Sequence, residues 1–370
     1  MHKQRRLPQQ RNLSNLLKGC RCDTPSQQFS GEVIPLNDRE YASARQALLY
    51  EADVVSNDLD TRKLQSEKHL LYNHIDMNVF NFLGLTDVDE RHNAARQVFA
   101  NVLLTRNIDH TPEHAASFVD HIKRDDSADV FADAALGKSH FFCGFHTGAY
   151  WSVFAELIKN NAQVAAIFPP GLEGKRHDVL EAFQVMVGLY GSSSTLEFID
   201  LANRQFLLHA RRCVRGGMQI IVFIDGYGGY MAPQSSRDHS FLFLRRVITV
   251  KTSILRLSAA LGVEYVSFNT TRGDGLSRTL LLSEPKSLSR DATDEEFSLA
   301  TEAIFKVLEG HLTNFCFDWE GWIYFNAFLS GSDQSTQPQA SWTQRYFQTH
   351  AGTDAKLVDK QTGRVFRVAL

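Results

Sequence analysis

From about Ser139 to Ser283 the chain alternates short apolar runs with stretches of helical spacing, and this alternation constrains the fold more than any other feature. The runs are His140 to Phe145, Gln163 to Phe168, Leu196 to Asp200, Met218 to Asp225, Val263 to Asn269 and Arg278 to Ser283. Between them Tyr150 to Lys159, His177 to Tyr190, Asn203 to Val214 and Thr252 to Leu261 read as helices. Strand and helix in repeated succession predict an α/β fold, with a mostly parallel central sheet flanked by helices. In such sheets ligands bind beyond the carboxyl ends of the strands.

The rest of the chain divides around this block. Residues 1–35 are rich in Gln, Arg, Asn and Ser and predict a flexible basic and polar start. Residues 36–137 predict a helical lobe. Leu48, Leu49, Val54 and Val55, then Leu70, Leu71, Phe80 and Phe82, recur near the helical period, and Thr111-Pro112-Glu113 resembles a helix start. The α/β core spans 138–330 and closes with helices at Asp294 to Glu309 and Glu320 to Phe328. A polar linker over 331–345 leads to a hairpin tail over 346–370, with strands at Lys356 to Val358 and Arg364 to Val368 around Lys360 to Gly363.

Composition narrows the function classes. A net charge of -3 argues against a general nucleic-acid binder. The cysteines Cys20, Cys22, Cys143, Cys213 and Cys316 are odd in number and scattered, which suits a reducing, cytoplasmic compartment better than a disulfide framework. No uncharged apolar stretch approaches the roughly 18 residues of a membrane span. Lys3, Arg5, Arg6 and Arg11 are followed by no signal-type apolar run. They read as a soluble start, or as an arm for anionic lipid or an acidic carrier protein. No metal is expected: Cys20-x-Cys22 has no second pair, and His110-x-x-x-His114 has no evident third ligand beyond His121.

Two polar residues end apolar runs, and both fall at predicted carboxyl ends. His146 follows Phe141 to Phe145, and Asp225 follows Ile220 to Ile224. A histidine there can act as a general base near neutral pH. Asp225 can orient that histidine, bind a substrate amine, or cap the turn that follows. Gly148 permits close backbone approach at the start of a helix whose N–H groups can meet an oxyanion. Glu173 and Tyr227 are pocket candidates, and Glu173 shares its loop with Lys175 and Arg176; these three suit a phosphate or carboxylate, or form a solvated loop. The absence of Gly-x-Ser-x-Gly and of Gly-x-Gly-x-x-Gly disfavours serine hydrolases and dinucleotide enzymes.

Four blocks in order resemble the lysophospholipid acyltransferase-like superfamily, and within it the late acyltransferases of lipid A biosynthesis. His146-Thr147-Gly148-Ala149-Tyr150-Trp151 stands where that branch has His-x-Gly-Asn-Trp-Glu. Arg215-Gly216-Gly217-Met218 to Asp225-Gly226, Ser258 to Val266, and Phe317-Asp318-Trp319-Glu320-Gly321-Trp322 are similar to its later blocks. The resemblance covers roughly residues 138–328. It implies transfer of an acyl group from acyl-CoA or acyl carrier protein to an amine or hydroxyl. The thioester serves as co-substrate, no further cofactor is needed, and His146 is the base. On the same resemblance Tyr150, Trp151 and Phe154 line an apolar acyl pocket or belong to the core, and Arg245 and Arg246 meet a donor phosphate or a carrier's acidic helix, or form a solvated pair. Two departures qualify this. Trp151 occupies the place of the family's acid, so either Asp225 or another acid takes that role, or the chemistry has diverged. The family's N-terminal membrane anchor gives way to the helical lobe, which favours a soluble or carrier-bound acceptor. A membrane-peripheral lipid acyltransferase, a non-catalytic acyl- or carrier-binding relative, and a thioester hydrolase remain the alternatives.

Overall fold

A computed structural model describes residues 36–57, 67–85, 87–109, 114, 117–118, 120–125, 129–168, 173–226, 237–328, 346–351, 354–359 and 365–367. The predicted N-terminal tail, the linker and the 360–363 turn lie outside these residues.

The protein is an α/β fold with a seven-stranded, mostly parallel sheet. In chain order the strands are β1 (Ile122–Asp125), β2 (Phe141–Gly144), β3 (Val164–Phe168), β4 (Leu196–Asp200) and β5 (Gln219–Phe223), with β8 (Tyr265–Arg272) and β9 (Arg278–Leu282) following a separate hairpin. That hairpin joins β6 (Asp238–Phe243) to β7 (Arg246–Lys251). The spatial order is β1-β9-β8-β2-β5-β3-β4. The five strands from β8 to β4 run parallel. β9 turns back antiparallel to β8, and β1 pairs parallel with β9.

β2 is buried along its whole length, as expected of a strand covered on both faces. Helices α5 (Ser152–Lys159), α6 (Glu173–Tyr190), α7 (Phe206–Arg215), α8 (Ser253–Leu261) and α9 (Asp294–Phe315) flank the sheet. α9 begins on a complete capping box, with Thr293 and Glu296 exchanging side-chain and backbone hydrogen bonds. Upstream lie α1 (Asp38–Asn57), α2 (Glu67–Leu83), α3 (Val88–Leu104) and α4 (Val130–Ala135). Phe82 and Phe99 of this helical region belong to the same apolar cluster as Phe141 and Val266 of the sheet. Among the described residues no helix is long and apolar enough to cross a membrane.

Three local expectations change. Ile122–Asp125, inside the region read as helical, is the edge strand β1, with one partly buried apolar residue and three exposed polar ones. An edge strand needs no apolar run, so the pattern carried no signal. The tail is a three-stranded antiparallel sheet, because β10 (Tyr346–Ala351) joins β11 (Asp354–Asp359) and β12 (Val365–Arg367). The helix expected over Glu320 to Phe328 is a pair of 3₁₀ turns, Glu320–Ile323 and Phe325–Phe328. Tertiary partners take polar groups there: Trp322 Nε1 donates to the Cys316 carbonyl at 2.6 Å, and Asn78 donates to the Trp322 carbonyl at 2.7 Å.

Candidate functional site

β2 and β5 are adjacent and parallel, with Gly144 opposite Phe223. His146 and Asp225 each lie two residues beyond those paired positions. Equal overhang in a fixed register brings them together at the carboxyl edge of the sheet. His146 Nδ1 and Asp225 Oδ1 are 2.7 Å apart. Asp225 is fully buried, and its Oδ2 accepts the His146 backbone N–H at 3.0 Å and Trp319 Nε1–H at 2.8 Å. The carboxylate therefore takes three donors, which fixes its rotation. With Nδ1–H given to Asp225, the imidazole carries its lone pair on Nε2.

The imidazole side chain is 20% exposed. Its ring lies 4.6 Å from the Phe223 ring and 4.7 Å, edge-on, from Tyr150. Burial alone would lower its pKa. The charge and hydrogen bond of Asp225, with Glu320 behind them, outweigh burial and the opposing Arg106, so the pKa is raised. Tyr150 is held well above the ordinary phenol value, first by burial and then by Glu320. Arg106 Nε and a terminal nitrogen donate to Glu320 at 2.9 and 2.8 Å. Arg106 lies in a π-helical turn, Thr105–Asp109, that continues α3.

The strip 318–320 closes the site from behind. The Asp318 carbonyl accepts Gly148 N–H at 2.6 Å, and Glu320 N–H donates to the His146 carbonyl at 2.8 Å. A buried ion network anchors the strip. The Asp318 carboxylate accepts Arg272 N–H at 2.9 Å and Asn101 Nδ2 at 3.0 Å. Arg272 reaches on to Asp109 at 2.6 Å, and Arg278 meets Asp109 at 3.4 Å. Both partners of the Arg278–Asp109 pair have fully buried side chains. The Arg278 guanidinium lies over the rings of Tyr41 and Phe118, at 4.8 and 4.6 Å.

The structure brings His146, Asp225 and Tyr150 together and redistributes the other candidates. Gly148 has φ +50°, and a Cβ there would stand 2.7 Å from the Thr270 carbonyl oxygen. Its glycine is therefore required, but its N–H is spent on Asp318 and is not an oxyanion donor. Trp151 is buried against Phe118, with ring centroids 5.8 Å apart, and Phe154 against Phe183 at 6.4 Å. Both are core residues: α5 is buried from Ser152 to Ile158, and Trp151 packs inward at its N-cap. Arg246 is committed to Asn81, donating to its carbonyl at 3.1 Å and its Oδ1 at 2.9 Å, rather than to a donor phosphate. Arg245 is exposed beside Gly84. Arg176 pairs with Asp200 at 2.9 Å. Tyr227, His110 and the Glu173 side chain lie outside the described residues.

Trp319, Glu320 and Arg106 are site residues to which the sequence assigned no role. Trp319 stood in a recognised block, so its position carried a signal. Arg106 carried none, because only the tertiary fold brings α3 to this edge.

No family model matches the sequence, and no curated protein is significantly similar to it. Among solved structures, the 1-acyl-sn-glycerophosphate (LPA) acyltransferase PlsC from Thermotoga maritima is similar with a TM-score of 0.34 and 12% identity. The match covers 75% of this chain and 99% of that one.

Proposed function

We propose that this chain transfers an acyl group from a thioester, borne on a carrier protein or CoA, to a hydroxyl or amine of a soluble or carrier-bound acceptor. The observation that carries the reading is the His146–Asp225 pair at the carboxyl edge of a parallel sheet. The order of motif blocks around it supports the choice of acyl transfer over other base-catalysed reactions. His146 Nε2 takes the acceptor's proton as its oxygen or nitrogen lone pair attacks the thioester carbonyl. The tetrahedral adduct then collapses, the carbon–sulfur bond breaks, and the imidazolium returns the proton to the departing thiolate. Asp225 holds Nδ1–H throughout and stabilises the imidazolium. Tyr150, kept protonated beside the imidazole, is the candidate donor to the reacting carbonyl.

The test is thiol release from a panel of acyl-CoA and acyl-carrier thioesters, with and without a pool of amines and alcohols. Release that depends on acceptor, and falls by roughly 10²–10⁴-fold in His146→Ala, is expected. Release without acceptor would make the chain a thioester hydrolase. Tight carrier binding with no release would make it a non-catalytic relative. Activity confined to anionic vesicles that co-sediment the protein would make it a membrane-peripheral enzyme.

The raised pKa of His146 sets a pH dependence. A base must be neutral, so kcat/KM should rise with pH through a midpoint above the ordinary imidazole value of about 6.5. A midpoint at or below that value would remove Asp225 as the partner of the free base. The stability sign is opposite. The imidazolium–Asp225 attraction is fully present below the unfolded pKa and is lost as pH rises through the folded one.

A further inference from the structure

At the amino edge of the sheet, opposite the dyad, three side chains converge that the acyl-transfer reading does not use. His209 and Cys213 are spaced i, i+4 on α7 and so share a helix face. Glu197 reaches them from the edge strand β4. His209 Nε2 lies 2.9 Å from Glu197 Oε2, and Cys213 Sγ lies 3.9 Å from the same oxygen. All three potential ligand atoms fall within 4.8 Å of one another. Donors at zinc's usual bond lengths, set at tetrahedral angles, stand roughly 3.3–3.8 Å apart. The observed spacings bracket that range.

Imidazole, thiolate and carboxylate together form a donor set that suits zinc, a borderline ion, better than magnesium or calcium. A cavity of about 310 Å³, lined by Gln163, Thr195, Glu197, Arg212, Cys213 and Met218, among others, opens onto the cluster. It has room for water as a fourth ligand.

We propose that Glu197, His209 and Cys213 bind a zinc ion that fastens edge strand β4 to α7. Without metal, burial and the charge of Glu197 push the Cys213 thiol up to about 11, so it stays protonated. Binding forms a zinc–sulfur bond and releases that proton to solvent. His209 moves its proton from Nε2 to Nδ1 and gives the Nε2 lone pair to the metal, in place of its hydrogen bond to Glu197.

The proposal does not rest on the acyl-transfer reading, and its test needs no turnover. Full-length protein stripped with chelator is titrated with Zn²⁺ against a chromophoric competitor, and separately with Co²⁺. One equivalent of zinc bound more tightly than about 1 μM is expected. Cobalt should give a near-ultraviolet thiolate charge-transfer band. Cys213→Ser should abolish that band. His209→Ala should weaken zinc by at least the roughly 10–100-fold that even an outer partner's loss costs. A Cys20→Ser/Cys22→Ser double variant should change neither readout. Zinc weaker than about 1 μM, or affinity and band unaltered by both α7 substitutions, would overturn the site. Zinc should also raise the melting temperature of wild type but not of Cys213→Ser, whose fold is checked by circular dichroism.

Discussion

Asp225→Asn should leave the protein folded and lower acyl transfer by roughly 10⁴-fold, the effect seen when the acid of a Ser–His–Asp triad becomes an amide. The reason lies in the three donors that Asp225 accepts. Oδ2 takes two N–H groups, from the His146 backbone and from Trp319, while Oδ1 takes one. An asparagine has one oxygen and one NH₂. Turning its NH₂ toward the paired donors would set donor against two donors, so its oxygen takes the Oδ2 position. The NH₂ then faces His146 Nδ1. Nδ1 must become the acceptor, the proton moves to Nε2, and the atom that should receive the acceptor's proton is already protonated. The variant should also lose the raised midpoint of the pH profile, because Asp225 is the chief source of that rise. Steady-state kinetics on the thioester substrate, with thermal unfolding as the control for folding, checks both. Wild-type turnover in a folded Asp225→Asn protein would end the dyad mechanism.

Asp109→Ala is expected to cost more stability than any other single change near the site. Its carboxylate, with no exposed surface, meets both Arg272 and Arg278, whose side chains are 7% and 0% exposed. Removing one partner of a buried ion pair typically costs about 3–5 kcal/mol, because the remaining charge is stranded. Here two guanidinium groups lose a partner at once, although Arg272 keeps Asp318, and Arg278 keeps the Gly275 and Ser277 carbonyls. Against a total stability of about 5–15 kcal/mol, that loss should leave little folded protein at 37 °C. Asp109→Asn keeps the hydrogen-bonding shape and should fall between the two. Urea unfolding of the three proteins orders them, and equal midpoints would show that the network contributes no net stability.

The fold was largely legible because the core strands are bounded by turns and separated by helices of ordinary length. The strand ends were legible too. A polar residue closing an apolar run marks where a chain leaves the sheet, which is how His146 and Asp225 were found. Illegible features depended on partners remote in sequence. Ile122–Asp125 has no apolar run to report itself, since its strand character comes from pairing with Arg278 to Leu281. Trp151 and Phe154 look identical as sequence whether α5 turns them to a pocket or to the core. Gly148 reads in sequence as a place where a ligand approaches, whereas what approaches is Thr270 of the protein itself. The role of Trp319 needed a hydrogen bond across 94 residues.

The span of these contacts has a consequence for how the protein is made. The dyad joins residues 79 apart, its tryptophan clamp joins residues 94 apart, and the bond from Asn101 to the Phe317 carbonyl spans 216. Loop-closure entropy must be met before any of them forms, so each costs more to close than a contact within a helix or hairpin. On the ribosome, the β2–β5 pair can assemble while the later half is still being synthesised, but His146 would then have its aspartate without the strip that seats it. Under the proposed mechanism the site is complete only after residue 320 has emerged, well after the sheet's last strand, which ends at Leu282.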